Sequence, residues 1–136
     1  MPSRSLFAAI LAGLSLLAQL PAQAHESGEK LTVLQEHLMT NAPGMKATML
    51  SVEYAPGQAT VAHRHDGSAI AYVLQGAIVS QIEGQAPVTY KAGESWYEPA
   101  GTHHLVSKNA SNSQPATLLV WILGTEQQPV LVPLQQ

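Results

Sequence analysis

From residue 46 onward, apolar and polar positions alternate in short runs, each stopped by turn-forming residues. "KATMLSVEY" stops at "APGQ", "ATVAHRH" at "DGS", "AIAYVLQ" at Gly76 and "AIVSQIE" at "GQAP". "VTYK" then stops at "AGE", "SWYE" at "PAGT", "HHLVSK" at "NASNSQPA" and "TLLVWIL" at "GTEQQP". Short runs punctuated this regularly by Gly, Pro, Asn and Ser predict an all-β protein, either sandwich or barrel. Closing the sheet into a barrel would remove exposed edges and create an interior cavity. No stretch carries the sustained apolar spacing of a long amphipathic helix. "LTVLQEHLM" (31–39) fits a strand or one to two turns of helix, and periodicity does not separate the two.

The first 24 residues follow a different pattern. "MPSRS" supplies a positive charge, "LFAAILAGLSLLAQL" an apolar run, and "PAQA" a small-residue ending before His25. This is the layout of a secretory signal peptide cleaved after Ala24. The alternative, an uncleaved membrane anchor, needs about 20 apolar residues, more than this run has. The expectation is therefore residues 1–24 as signal, residues 25–136 as one domain, and a periplasmic or secreted protein with no membrane contact after cleavage. Losing Arg4 moves the formal charge from -3 to about -4.

Composition narrows the function classes. With 46% hydrophobic residues in 136, there is material for a single core. The six Lys and Arg residues are scattered, which argues against nucleic acid as a partner. There are no cysteines, so disulfides and thiolate ligands are excluded, and any metal must be held by His, carboxylate, amide, backbone or water. "TLLVWIL" is apolar on both phases, more than a solvent-facing strand needs. A homodimer through 31–39 or 117–123 is expected.

Four of the six histidines fall in two short motifs about 40 residues apart. On a strand His63 and His65 share a face, in phase with Ala59 and Val61, and that face is the expected interior. A lone buried histidine is more often a satisfied core residue than a ligand. Two on one face, joined by a distant third, point to a metal.

The two motifs resemble those of the cupins. The cupin pattern G-x5-H-x-H-x(3,4)-E-x6-G reads here "GQATVAHRHDGSAIAYVLQG", with Gly57, His63, His65 and Gly76 in place. The second, G-x5-P-x-G-x2-H-x3-N, reads "GESWYEPAGTHHLVSKN", with Gly93, Pro99, Gly101 and His104 in place and Asn109 one position late. The resemblance covers roughly residues 45 to 125 and implies an all-β fold, a single small antiparallel jelly-roll β-barrel with a site near one mouth. It makes His63, His65 and His104 the implied metal ligands. His103, in opposite phase, should point away.

One departure stands out. The cupin glutamate ligand should occupy position 69, where this chain has Ala69. A methyl in place of a carboxylate removes a charge, opens a coordination position, and favours metals content with imidazole, such as Zn, Cu, Ni or Fe; the cofactor expected is a divalent transition metal ion, one of these or Mn. Glu98, in the apolar setting "SWYEPAG", is the candidate catalytic acid/base or substitute carboxylate; its bland role would be a rim carboxylate. Asp66 reads as a turn former, and Gln81 and Glu83 are further candidates. Trp96 is placed to line a pocket mouth.

Two functions remain open on these residues. One is a metal-dependent dioxygenase, decarboxylase, isomerase or lyase acting on a small molecule. The other is a module that binds a metal or small ligand without turnover, and a barrel without metal stands behind both. Metal binding should weaken below about pH 6, as protons compete for imidazole.

Overall fold

The computed structural model describes residues 28–135, so the expected signal segment 1–24 and its cleavage point lie outside the described residues. Eleven strands follow one another without an intervening helix among the described residues. They are β1 (Glu29–Leu38), β2 (Met45–Tyr54), β3 (Ala59–Thr60), β4 (His63–Arg64), β5 (Ser68–Gln75) and β6 (Ala77–Ile82). The second half holds β7 (Val88–Lys91), β8 (Ser95–Glu98), β9 (His103–Asn109), β10 (Ala116–Thr125) and β11 (Val132–Pro133).

All ladders are antiparallel. One sheet has the order β1-β2-β10-β5-β8, the other β11-β4-β9-β6-β7 with β3 added to β9. The two sheets pack face to face as a sandwich of jelly-roll type, the all-β architecture that the alternating runs predict. Of the segment 31–39, all but Met39 is strand: β1 pairs along β2 from Glu29↔Tyr54 to Leu38↔Lys46. Local pattern could not decide this, because the deciding hydrogen bonds come from the neighbouring strand β2 and not from within the segment.

The core lies between the sheets. β2 buries Thr48, Leu50, Val52 and Tyr54 at every second position, and β10 buries Leu118, Val120 and Ile122 in the same rhythm. Val73 of β5 and Ile78 of β6 complete it from either side of the turn at Gly76. That turn requires glycine: φ is +74°, and a Cβ would stand 2.7 Å from the Pro115 carbonyl oxygen.

A β-bulge explains the late asparagine of the second motif. Ile82 pairs with His104 but Gln81 pairs with Val106, so Leu105 is an extra residue in β9. The insertion shifts the inward phase by one. Asn109 rather than residue 108 therefore points inward, fully buried and bonded through Nδ2 to the carbonyls of Ala55 and Gln114.

Candidate metal centre

His63 and His104 are directly opposed residues of β4 and β9, so adjacent strands of one sheet deliver them to the same face. Their ring centroids lie 5.0 Å apart, and His65, just beyond β4, brings a third ring to 4.9 Å from His63. The turn leading into β9 is tied to this group, because the Gly101 N–H donates to the His65 carbonyl at 2.8 Å. Glu98 enters from the other sheet. It ends β8 and is directly opposite Ala69 of β5, on the same face, only 3% exposed. All three histidines and Glu98 are buried.

Backbone carbonyls orient two of the rings. Nδ1 of His63 bonds to the Val61 carbonyl at 2.8 Å, and Nδ1 of His65 to the Val130 carbonyl at 2.5 Å. Since a carbonyl only accepts, each Nδ1 carries the proton and each Nε2 keeps its lone pair free. His104 is held differently, with Nε2 at 2.8 Å from the Ser80 hydroxyl and Nδ1 at 3.1 Å from Glu98 Oε1. Glu98 Oε1 also accepts the Trp96 indole N–H at 2.8 Å, while Oε2 stands 3.7 Å from His65 Nε2.

Two buried atoms here make no hydrogen bond: Oε2 of Glu98, and Nδ1 of His104, whose 3.1 Å approach to Glu98 Oε1 lacks hydrogen-bond geometry. Burial pushes His63 down to about 4 despite its bond to Val61, and pushes His104 down to about 3, helped by His63 and His65. Burial raises Glu98 above the usual carboxylate range, against the Trp96 hydrogen bond and the pull of His65. The imidazoles of His63 and His104 are thus neutral at neutral pH. One donor atom from each of His63, Glu98 and His104 lies within 4.8 Å of the others, which is a buried His-His-Glu group that can hold a metal ion. A divalent cation would satisfy both orphaned atoms and offset the buried carboxylate charge.

The cupin domain profile (Cupin_2) matches residues 50–122, more than half of the 136-residue chain. The chain belongs to the cupins. The family reading of the two motifs therefore holds, and the solved structures agree with it at the level of fold. An RmlC-like cupin from Shewanella frigidimarina NCIMB 400 superposes with a TM-score of 0.59 at 16% identity, over 76% of this chain and 83% of its own. The DMSP lyase DddQ from Ruegeria pomeroyi DSS-3 gives 0.61 at 19%, over 77% of this chain and 51% of its own. A recombinant oxalate oxidase in complex with glycolate gives 0.61 at 24%, over 79% and 55%. This cupin spans about half the length of those last two enzymes. A search of curated protein sequences gives no match.

The cavity of this cupin is small, about 30 Å³, room for roughly two waters. His63, His65, Glu98 and His104 line it together with apolar residues such as Leu50, Val52 and Val120. It also contains Tyr54, whose hydroxyl bonds to Thr60 at 2.6 Å and to Ser107 at 2.9 Å.

The other residues singled out by sequence fall elsewhere. His103 points outward as expected from its phase and pairs with Glu83 at 3.0 Å. Asp66 pairs with Arg64 at 2.8 Å, and Gln81 bonds to the Gln85 carbonyl, so none of Asp66, Gln81 and Glu83 joins the group. Trp96 is more than a mouth residue: it is buried, stacked on Tyr90 at 4.7 Å and bonded to Glu98. Ser80, Tyr54, Ser107 and Val130 were missed. Ser80, Tyr54 and Ser107 share the inward phase of their strands with core residues, the one local signal that could have flagged them. Val130 acts through its carbonyl, which no side-chain pattern reveals.

Proposed function

We propose that this cupin is a metal-dependent enzyme of dioxygenase, decarboxylase, isomerase or lyase type, acting on a small organic molecule outside the cytoplasm after loss of residues 1–24. His63, His65 and His104 are the imidazole ligands and Glu98 supplies the carboxylate that Ala69 cannot. The observation that carries this reading is the buried, unpartnered Glu98 Oε2 facing a group of histidines from the other sheet. A divalent transition metal (Zn, Fe, Ni, Cu or Mn) held by these residues would supply Lewis-acid chemistry toward a substrate oxygen. The chain supplies the rest. The carbonyls of Val61 and Val130 fix two tautomers, and Trp96 holds one Glu98 oxygen so that the other faces inward. Burial raises the Glu98 pKa above the usual carboxylate range, and a cation beside it would favour the ionised, ligating form. The narrow apolar walls select a compact substrate, in keeping with neighbours that include a DMSP lyase and a glycolate-bound oxalate oxidase.

Elemental analysis of the protein from its native host tests this, alongside variants. His63→Ala, His65→Ala and His104→Ala should lose the metal, while His103→Ala keeps it. Full metal occupancy in His104→Ala would sink the reading. The small cavity also favours a second one, a metal-binding module without turnover. A metal-loaded protein that exchanges its ion within minutes and converts none of a panel of small carboxylic acids would establish that module instead.

A further inference from the structure

Thr60 of β3 and Ser107 of β9 are directly opposed, and three residues along the same two chains His63 and His104 are directly opposed as well. A three-residue step on an unbroken strand would turn the two pairs to opposite faces. Here residues 61 and 62 interrupt the line between β3 and β4, and Leu105 is the extra residue of β9. All four side chains are therefore buried and line the one cavity. Tyr54 reaches the hydroxyl pair from β2 of the other sheet, bonding Thr60 at 2.6 Å and Ser107 at 2.9 Å. Three hydroxyls carry three hydrogens, and the two bonds among them use two. The three oxygens make no other hydrogen bond among the described residues, so one buried O–H is left over in the cavity wall.

We infer that Tyr54, Thr60 and Ser107 form a second subsite of the cavity, donating this spare O–H to a neutral oxygen, hydroxyl or carbonyl, at the far end of the substrate. The inference rests on the metal reading of the histidine group, which takes the substrate's other end. Charge decides for a neutral oxygen. No lysine or arginine lines the cavity among the described residues. Burial raises the Tyr54 phenol above its usual value, and the carboxylates of Glu29 and Glu98 push it the same way, against the bonds to Ser107 and Thr60. The phenol therefore stays protonated, and a second carboxylate at this end would meet negative charge with no cation to offset it. Length follows from the register. At about 3.3 Å per residue, the two opposed pairs stand roughly 10 Å apart along the strands. Allowing contacts of about 3 Å at each end leaves the span of an unbranched chain of about three carbons with an oxygen on each terminal carbon. Much of the remaining lining, with Leu50, Val52 and Val120, is apolar and suits such a chain.

Zinc-loaded protein, its metal content measured, is titrated by calorimetry with 3-hydroxypropionate and with propionate. The wild type should bind the hydroxy acid about 10-fold or more tighter, because propionate leaves the spare O–H unpaired. Combining Tyr54→Phe, Thr60→Val and Ser107→Ala removes every hydroxyl at once and leaves no orphaned partner, so the variant should keep its fold and its zinc. Its preference should fall to within about threefold of none. The wild-type comparison stands by itself if that variant does not fold. Equal affinities in zinc-loaded wild type, or binding of neither acid, overturn the inference and leave the metal reading intact. A preference that survives in the triple variant overturns it too, because the ligand hydroxyl is then held elsewhere. Protein that takes up no zinc contradicts the metal reading itself, and this inference with it.

Discussion

Ala69 and Glu98 are directly opposed across the β5–β8 ladder, both buried on the face that carries the site. Opposed residues of an antiparallel pair hold their Cβ atoms about 5 Å apart, so a carboxylate can move from one strand to the next and still reach the same space. The relation puts the buried acid at 98 beside the position where the family pattern carries its carboxylate.

It also gives a direct test. Glu98→Ala should weaken metal binding by about 100-fold, measured by chelator competition. Adding Ala69→Glu should restore most of that affinity, because it returns a carboxylate to the position the family pattern uses. A double variant that binds no better than Glu98→Ala would show that position 69 does not face the ion.

Trp96→Phe keeps an aromatic ring against Tyr90 but removes the indole N–H that holds Glu98 Oε1. Loss of a group that orients a ligand typically costs 10- to 100-fold in affinity, and about that loss is expected here. Unchanged metal affinity in the variant would mean that Glu98 is oriented without the indole.

The metal-free protein should lose stability in acid. Above pH of about 6.5 both imidazoles are neutral, folded or unfolded. Below that, the unfolded chain takes up protons that the folded chain refuses until about pH 4 at His63 and about pH 3 at His104. Stability therefore falls as pH falls through this window, by on the order of 3 kcal/mol from His63 alone. Urea unfolding in chelator at pH 7 and pH 4 reads the difference. The same depressed values move proton competition for the metal below the pH of about 6 expected for ordinary histidines.

N-terminal sequencing of the exported protein should begin at His25 or within a residue or two. An intact Met1 end recovered with the membrane fraction would contradict export by cleavage.

Much of the molecule was legible in the chain itself. The alternating runs and their stops specify strands and turns because strand periodicity and turn chemistry are local properties. The H-x-H spacing places His63 and His65 on one side, and the opposite phases of His103 and His104 separate the inward ring from the outward one. Those are consequences of side-chain alternation along a single strand. Tertiary structure decided the rest. Residues 31–38 became strand because β2 offered them a ten-residue edge. Asn109 fell one place late because a bulge at Leu105 reset the phase, and a bulge is defined only by the partner strand. Glu98 could be suspected from its apolar neighbours, yet nothing along the chain says that it faces Ala69. That depends on the register between β5 and β8, which long-range hydrogen bonds set after the sheet assembles.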